Sequence, residues 1–287
     1  MTDRPMLNKT AMVTGATAGL GAVTAESLAQ QGATVIVVGR NAENGAATVR
    51  RIQQRTGSSA VEFMPADLSS QSEIRRLASE FTGKHAGLHV LVNNAGASYG
   101  RRRESVDGIE MTFSLNHLAY FLLTNLLLDT LKASAPARIV NVSSEVHRQV
   151  TLDFDDLQAR QRFDGYRTYM RSKMANLLFT YELARRLEDT GVTVNAAAPG
   201  LVTTALGLQD GGMSALMKRV MNALMGVSPE VGARAIIYLA TSPEVEGLNG
   251  QYFAKNKVVA SSAASHDQAA AARLWQISAE LTGLFAP

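Results

Sequence analysis

The sequence predicts a single doubly wound α/β domain, a parallel sheet flanked by helices on both faces. Three observations predict it. Short apolar, β-branched runs alternate with helix-length amphipathic segments along almost the whole chain. The strand runs are nearly continuous in apolar residues, as a strand covered on both faces requires, because neither side meets water. A turn rich in glycine and other small residues joins the first strand run directly to the first helix pattern.

The elements follow in order. Ala11-Met12-Val13 reads as the first strand, and residues 20–31 form the helix after the turn. Val35 to Val38 is the second strand, followed by a helix over 42–56, and Val61 to Met64 the third, followed by a helix over 70–82. Val90-Leu91-Val92 precedes a long helical pattern over 105–132, and Ile139 to Val142 precedes another over 165–189. Val192-Thr193-Val194 is the sixth strand, and a helix near 229–241 with a strand near 250–254 closes the sheet. Strands separated by helices pair in parallel through right-handed crossovers. No internal repeat, low-complexity linker or composition break divides the 287 residues, so one domain is expected over 1–287.

One segment, 200–227, leaves the alternation. Gly207 to Gly212 reads as a loop, and Met213, Met217, Met221 and Met225 then recur every four residues beside Leu216, Val220 and Leu224. That spacing is one apolar helix face rich in a flexible, polarizable side chain. Core packing or a subunit contact explains it as well as a lid over an apolar substrate, and both readings stand.

Composition narrows the function classes. Hydrophobic residues make up 46% and charged residues 18%, which suits a globular core and excludes a disordered chain. The formal charge is only +3, and the one dense basic run, Arg101-Arg102-Arg103, is closed at once by Glu104. Without interleaved aromatics or a broad basic face this reads as a solvated loop, and no nucleic-acid partner is expected. There are no cysteines, so disulfides, thiolate chemistry and Cys-ligated metals are excluded, and no metal site is expected. The first five residues lack the apolar run of a secretion signal. The greasiest stretch, Leu118 to Leu131, is interrupted by Thr124, Asn125 and Asp129, short of the roughly 18 apolar residues of a spanning helix. A cytoplasmic protein without a membrane anchor is expected.

Five places carry chemistry. Thr14 to Gly21 places glycines at 15, 19 and 21, where the backbone can turn tightly and approach a pyrophosphate held by the helix N-terminus. The second strand ends at Val38-Gly39-Arg40. A carboxylate there would accept from the adenosine ribose and repel a 2′-phosphate; the acid is absent, and Arg40 offers that phosphate charge-assisted bonds. This favours NADP(H) over NAD(H), a plain surface arginine being the alternative. Asp67, before Ser69, either caps a helix or reads the adenine amino group, and the roles are compatible. Asn93-Asn94-Ala95-Gly96 either lets the chain pass close to a cofactor or is an ordinary turn. Finally, Tyr169 and Lys173 stand four apart on one helix, where an ammonium can approach a phenol. The phenol ordinarily titrates near pH 10, and a neighbouring positive charge brings phenolate closer to working pH.

Together these motifs resemble the classical short-chain dehydrogenase/reductase family, over Lys9 to about Tyr252: TGATAGLG, Asp67, NNAG, Asn116, Ser143-Ser144, YMRSK and Pro199-Gly200-Leu201-Val202-Thr203, in that order. Asn116-His117-Leu118, Leu122 to Leu127, Ile139 to Ser144 and the long insert His147 to Thr168 are similar to the retinol-dehydrogenase-like branch. The resemblance implies a Rossmann-type sheet and a catalytic set. Tyr169 would exchange the proton with the substrate oxygen, and Lys173 would lower its pKa and bind the nicotinamide ribose. Ser144 would hold the substrate oxygen, with Ser143 as runner-up, and Asn116 would fix a water relaying protons through Lys173. The implied cofactor contacts are Gly15, Thr17, Gly19, Leu20 and Gly21; Arg40 and Asn41; Asp67 and Leu68; Asn93, Ala95 and Gly96; Tyr169 and Lys173; and Pro199, Gly200, Val202 and Thr203. The chain departs from many NADP(H)-preferring members in having Ala16-Thr17-Ala18 where a second basic residue would sit.

The expected activity is therefore hydride transfer between NADP(H) and an apolar ketone or aldehyde, or the corresponding alcohol, with reduction favoured. An NAD(H)-dependent alcohol dehydrogenase is the nearest alternative. An extended-type sugar epimerase or dehydratase would space its glycines differently, and a catalytically silent dinucleotide sensor would not need Ser144, Tyr169 and Lys173. A homo-oligomer, dimer or tetramer, is expected to pair through the helices over 105–132 and 165–189.

Overall fold

The computed structural model describes residues 4–200 and 228–284. Among them an eight-stranded sheet runs in the order β3-β2-β1-β4-β5-β6-β7-β8. The strands are β1 (Thr10–Thr14), β2 (Thr34–Gly39), β3 (Val61–Pro65), β4 (Val90–Asn93), β5 (Ala137–Val142), β6 (Val192–Ala198), β7 (Tyr252–Ala254) and β8 (Lys257–Val258). All pairings are parallel except β7 with β8. Chain direction reverses its march across the sheet between β1 and β4, which opens a crevice at the strands' carboxyl ends.

The register explains the continuous apolar strands. Ile36, Met12, Leu91, Ile139 and Val194 stand side by side across β2, β1, β4, β5 and β6. All five face one buried layer, with Phe81, Phe121, Phe179 and Trp275. The neighbouring row, Val37, Val13, Val92 and Val140, faces the opposite buried layer with Leu28, Ile52, Ile236 and Leu239. Successive side chains alternate faces, and both faces are covered.

The α-helices among the described residues are α1 (Gly19–Gln30), α2 (Ala42–Thr56), α3 (Gln71–Lys84), α4 (Met111–Phe113), α5 (Ala119–Leu126), α6 (Leu128–Ala133), α7 (Gly165–Arg186), α8 (Pro229–Thr241) and α9 (Gln268–Thr282). The continuous helix expected over 105–132 is not formed. Residues 105–109 turn back, Ser105 N donating to the Ile109 carbonyl at 2.8 Å, with Gly108 at φ 72°. Glu110 then caps α4, its carboxylate oxygens accepting from the Thr112 and Phe113 amides at 2.9 and 2.7 Å. A π-helical turn over Ser114–Leu118 joins α4 to α5, and Leu127 interrupts the run again. The chain also continues past the expected closing strand into β8 and α9. Asp267 caps α9, and Gly283, at φ 63°, ends it. Among the described residues no helix is long and apolar enough to cross a membrane, and no cluster of His, Asp and Glu could hold a metal.

Candidate active site

The crevice is built first by the turn after β1. Gly15 takes φ 63°, and a Cβ there would lie 2.8 Å from the Ala95 backbone; one on Gly21 would lie 2.5 Å from the Gly15 carbonyl oxygen. Thr14 Oγ1 donates to the Val92 carbonyl at 3.2 Å and accepts from the amides of Asn94 and Ala95. Asn94 Nδ2 donates to the Thr14 carbonyl at 2.8 Å. The two strand ends at the switch point are thus laced together by Thr14 and Asn94, members of the two motifs the sequence places there. Thr48 Oγ1, on α2, holds the Thr17 carbonyl at 3.2 Å.

The start of α1 suits an anion. Asn41, Ser70, Asp164, Ser228 and Asp267 each cap their helices with a side chain, whereas α1 has Ala18 at that position, no side-chain cap and no acid in its first turn. Its leading N–H groups and positive dipole end are open to a pyrophosphate over Gly19, Leu20 and Gly21. The residues present fit a dinucleotide.

At the end of β2, Arg40 is exposed, and the Gly39 carbonyl accepts from Ala66 N at 2.9 Å, bringing the β3 end beside it. Asn41 Oδ1 accepts from Asn44 N at 2.8 Å, so its oxygen belongs to the α2 cap and only its amide nitrogen is left for a ligand. Asp67 does not cap α3: Ser70 does, through Glu73 N, while Asp67 Oδ1 accepts from the amide and hydroxyl of Ser69 at 2.9 and 2.7 Å. Leu68 is buried beside it. Tyr99, which sequence reasoning passed over, is buried here with the Arg103 guanidinium 5.8 Å from its ring centre. Burial raises its pKa, Arg40 and Arg103 opposing and Asp67 and Glu110 adding to the effect.

The Asn93 side chain does not face the crevice. It is fully buried, and its Nδ2 donates to Thr124 Oγ1 and Asn141 Oδ1, both at 2.9 Å, tying β4 to α5 and β5. Ala95 and Gly96 do line the approach. A Cβ on Gly96 would lie 3.2 Å from Asn116 Oδ1 and 3.7 Å from Lys173 Nζ, so only a glycine leaves that gap open. Asn116, in the π-helical turn, accepts from Ala97 N at 2.8 Å and donates to the Ala97 carbonyl and Ser172 Oγ at 2.9 and 3.0 Å. Its side chain is therefore committed to protein partners on β4's loop and α7.

The two serines after β5 part by strand alternation. Ser143 is buried and its hydroxyl donates to the Lys173 carbonyl at 2.8 Å, a bond that braces α7. Ser144 Oγ accepts from Val146 N at 3.5 Å, and its hydroxyl lies close enough to the Tyr169 phenol, across the 25-residue sequence gap, to favour the phenolate. Tyr169 remains half-buried, open toward the crevice, and Tyr166, one turn earlier, is exposed. Lys173 is buried, its Nζ donating to the Val142 carbonyl at 3.0 Å and lying 5.6 Å from the Tyr169 ring centre. Ser144, Tyr169 and Lys173 are thus brought together.

Burial governs both titrations. It pushes the Lys173 ammonium down to about 8. It pushes the Tyr169 phenol above its ordinary value, with Tyr166 adding and the Ser144 bond opposing. The expected lowering of Tyr169 by Lys173 is not found, because the ammonium sits against the Val142 carbonyl and the loss of water around the phenol dominates. At the end of β6, Pro199 is half-buried and Gly200 exposed at φ 78°. Val202, Thr203 and the rest of the Met-rich segment lie outside the described residues.

A family model described as short chain dehydrogenase matches residues 9–211, from the strand before the glycine turn to beyond Lys173. The chain belongs to the short-chain dehydrogenase family. This short-chain dehydrogenase is 40% identical to the Homo sapiens polyprenol dehydrogenase over 286 residues, covering 98% of the chain and 87% of that relative. It is 41% identical to Homo sapiens retinol dehydrogenase 14, covering 97% and 88%, which places it in the retinol-dehydrogenase-like branch. Among solved structures, an uncharacterised protein from Mycobacterium paratuberculosis superposes with TM-score 0.79 at 33% identity, over 98% of this chain and 96% of that one. The RhlG/NADP active-site complex of Pseudomonas aeruginosa superposes with TM-score 0.69 at 30% identity, over 88% and 97%. The protein is accordingly an oxidoreductase of a family that uses a nicotinamide dinucleotide.

Proposed function

We propose that this short-chain dehydrogenase transfers a hydride between NADP(H) and an apolar ketone or aldehyde, or the corresponding alcohol, and that reduction is its working direction. The observation that carries the reading is the convergence of Ser144, Tyr169 and Lys173 at the crevice beside the uncapped start of α1. When bound, the cofactor supplies the hydride; the chain supplies position and the proton. Ser144 receives Val146 N–H on its oxygen, which leaves the hydroxyl proton to donate to a substrate oxygen. Tyr169, kept protonated by burial, delivers its phenolic proton to that same oxygen as the alcohol forms. Lys173, a cation below about pH 8, stabilises the phenolate left behind and holds the nicotinamide ribose.

NADP(H) is favoured because β2 ends without a carboxylate and Arg40 is exposed where a 2′-phosphate would lie. The kinship with dehydrogenases named for polyprenol and retinol, both apolar alcohols, supports an apolar substrate. The test is oxidation of NADPH, against NADH as comparator, with retinaldehyde, decanal and an apolar ketone. Turnover with the apolar carbonyls and preference for NADPH is expected. No turnover of any panel member, or a preference for NADH, sinks the corresponding half of the proposal.

A further inference from the structure

Three residues beyond Ser144 lies a buried histidine that the mechanism above does not use. His147 is fully buried in the 3₁₀ turn Glu145–Gln149. Its Nδ1 is 2.7 Å from the Ser144 carbonyl oxygen, which can only accept, and its Nε2 is 3.2 Å from the Ser262 amide, which can only donate. The two partners together fix a neutral imidazole with its proton on Nδ1. Burial also pushes its pKa below the ordinary histidine value, so the neutral form persists. The ring is held edge-on against Tyr252, with centroids 5.2 Å apart.

The same turn is bolted to the C-terminal segment at further points. Tyr252 Oη donates to Glu145 Oε1 at 2.5 Å, Arg148 Nε donates to Glu145 Oε2 at 2.7 Å, and an Arg148 guanidinium nitrogen donates to the Ala260 carbonyl at 2.5 Å. His147 holds the backbone of Ser144 itself, where its ring N–H and its own amide, at 3.2 Å, share one carbonyl. That carbonyl belongs to the residue whose hydroxyl meets Tyr169. A rotation of the Ser144 peptide would swing Oγ out of the crevice, because side chain and carbonyl turn on the same backbone.

We propose that His147 is a positioning residue for Ser144, which uses the segment around Ser262 as an anchor to set where the substrate oxygen is held. The C-terminal residues beyond β7 thereby take part in the chemistry without touching it. The inference rests on Ser144 as the substrate-oxygen donor. Misplacing one reacting group by an ångström costs up to about a hundredfold in rate, so loss of one of two restraining bonds is expected to cost about tenfold.

Two substitutions separate the ring's two bonds. His147→Gln reaches Ser262 N–H with its carbonyl oxygen but takes the donor away from Ser144; His147→Asn keeps an N–H near the Nδ1 position and gives up Ser262. In NADPH-dependent reduction of retinaldehyde or decanal, His147→Gln is expected to lose about tenfold in kcat with the KM for NADPH unchanged. His147→Asn is expected to recover most of that loss. Wild-type kcat in His147→Gln, or equal loss in both variants tracking their thermal midpoints, overturns the proposal. Ser144→Ala is the control: a fully active Ser144→Ala defeats the proposed function, whereas an impaired Ser144→Ala beside a fully active His147→Gln defeats only this inference. Independently of turnover, ¹⁵N NMR of the wild-type imidazole is expected to show the proton on Nδ1, and a proton on Nε2 also overturns the proposal.

Discussion

Tyr169 and Lys173 titrate in opposite directions for one reason, the removal of water from both, and that has consequences for rate and pH. The phenol stays protonated well past neutrality, as a donor in carbonyl reduction must, while the ammonium loses its charge at about pH 8. The rate of reduction at subsaturating substrate is therefore expected to be flat below about pH 8 and to fall above it as Lys173 deprotonates, read from kcat/KM against pH; a rate still rising at about pH 9 is incompatible with this assignment. Tyr169→Phe is expected to fold and to retain NADPH, since the ring still packs, but to lose about 10²–10⁴-fold in turnover. Near-normal turnover at saturating NADPH would remove Tyr169 from the mechanism. Arg40→Ala should weaken NADPH binding by about tenfold, the modest figure suiting an exposed guanidinium, with NADH nearly unaffected in parallel titrations. Equal weakening of both cofactors would count against a 2′-phosphate contact. Introducing an acid at Gly39 is a poor switch toward NADH, because the new Cβ would meet Thr17 Cγ2 at 2.7 Å and disturb the glycine turn. At this scale the residue types alone do not choose between two adjacent serines, and it is the family resemblance that points to Ser144 over Ser143. That choice depends on strand alternation at the end of β5, which puts Ser143 under α7 and Ser144 over the crevice.

Local signals specify the elements well where caps and periodicity agree and poorly where tertiary bonds decide. Asn41 and Gly57 bracket α2, and Ser70 opens α3, so both helices were legible to within two residues. The π-helical turn had no such signature. It exists because Asn116 reaches Ala97 and Ser172, and His117 reaches Ser278, partners 19 to 161 residues away. Helix α9 lies beyond the strand that closes the expected sheet, although its signals, Asp267 before it and Gly283 after it, are present in the sequence. Its place matters, because α9 packs on α5 and α7. Trp275 is buried with its ring edge-on to Phe121 at 4.9 Å and against Phe179 at 5.9 Å, while the Arg186 guanidinium lies 4.1 Å over its face. Trp275→Ala is expected to cost about 3–5 kcal/mol of folding stability, measured by urea unfolding, through the cavity and the lost stacking. A loss under about 1 kcal/mol would mean that α9 is not part of the cooperative fold.

Across the whole molecule, α9 helps leave the middle of α7 without a solvent face: every residue from Ser172 to Ala184 is buried. The middle of α7, Ser172 to Ala184, therefore offers no free face to a second copy. The same packing seals His117 between the π-helical turn and α9. Its Nε2 is 2.9 Å from Ser278 Oγ, Phe113 stacks on it at 5.2 Å, and Phe179 meets it edge-on at 6.1 Å. Burial pushes its pKa from an ordinary 6.5 down to about 4. The unfolded chain takes up that proton near pH 6.5 and the folded chain only near pH 4, so between those values unfolding binds a proton and stability falls as the pH falls. The stability is fully present above about pH 6.5, and the loss below it is on the order of 3 kcal/mol when complete. His89 and His147, also lowered by burial, add loss of the same sign, while Glu110, raised by burial, opposes it. The comparison that isolates His117 is therefore a difference between variants. His117→Gln keeps a side chain able to reach Ser278 but cannot titrate. Its urea midpoint should be lower than wild type at about pH 7, where a well-packed neutral ring is lost, and should fall less than wild type on acidification to about pH 5. Parallel midpoint-against-pH curves for the two proteins would show that the proton taken up on acid unfolding does not belong to His117.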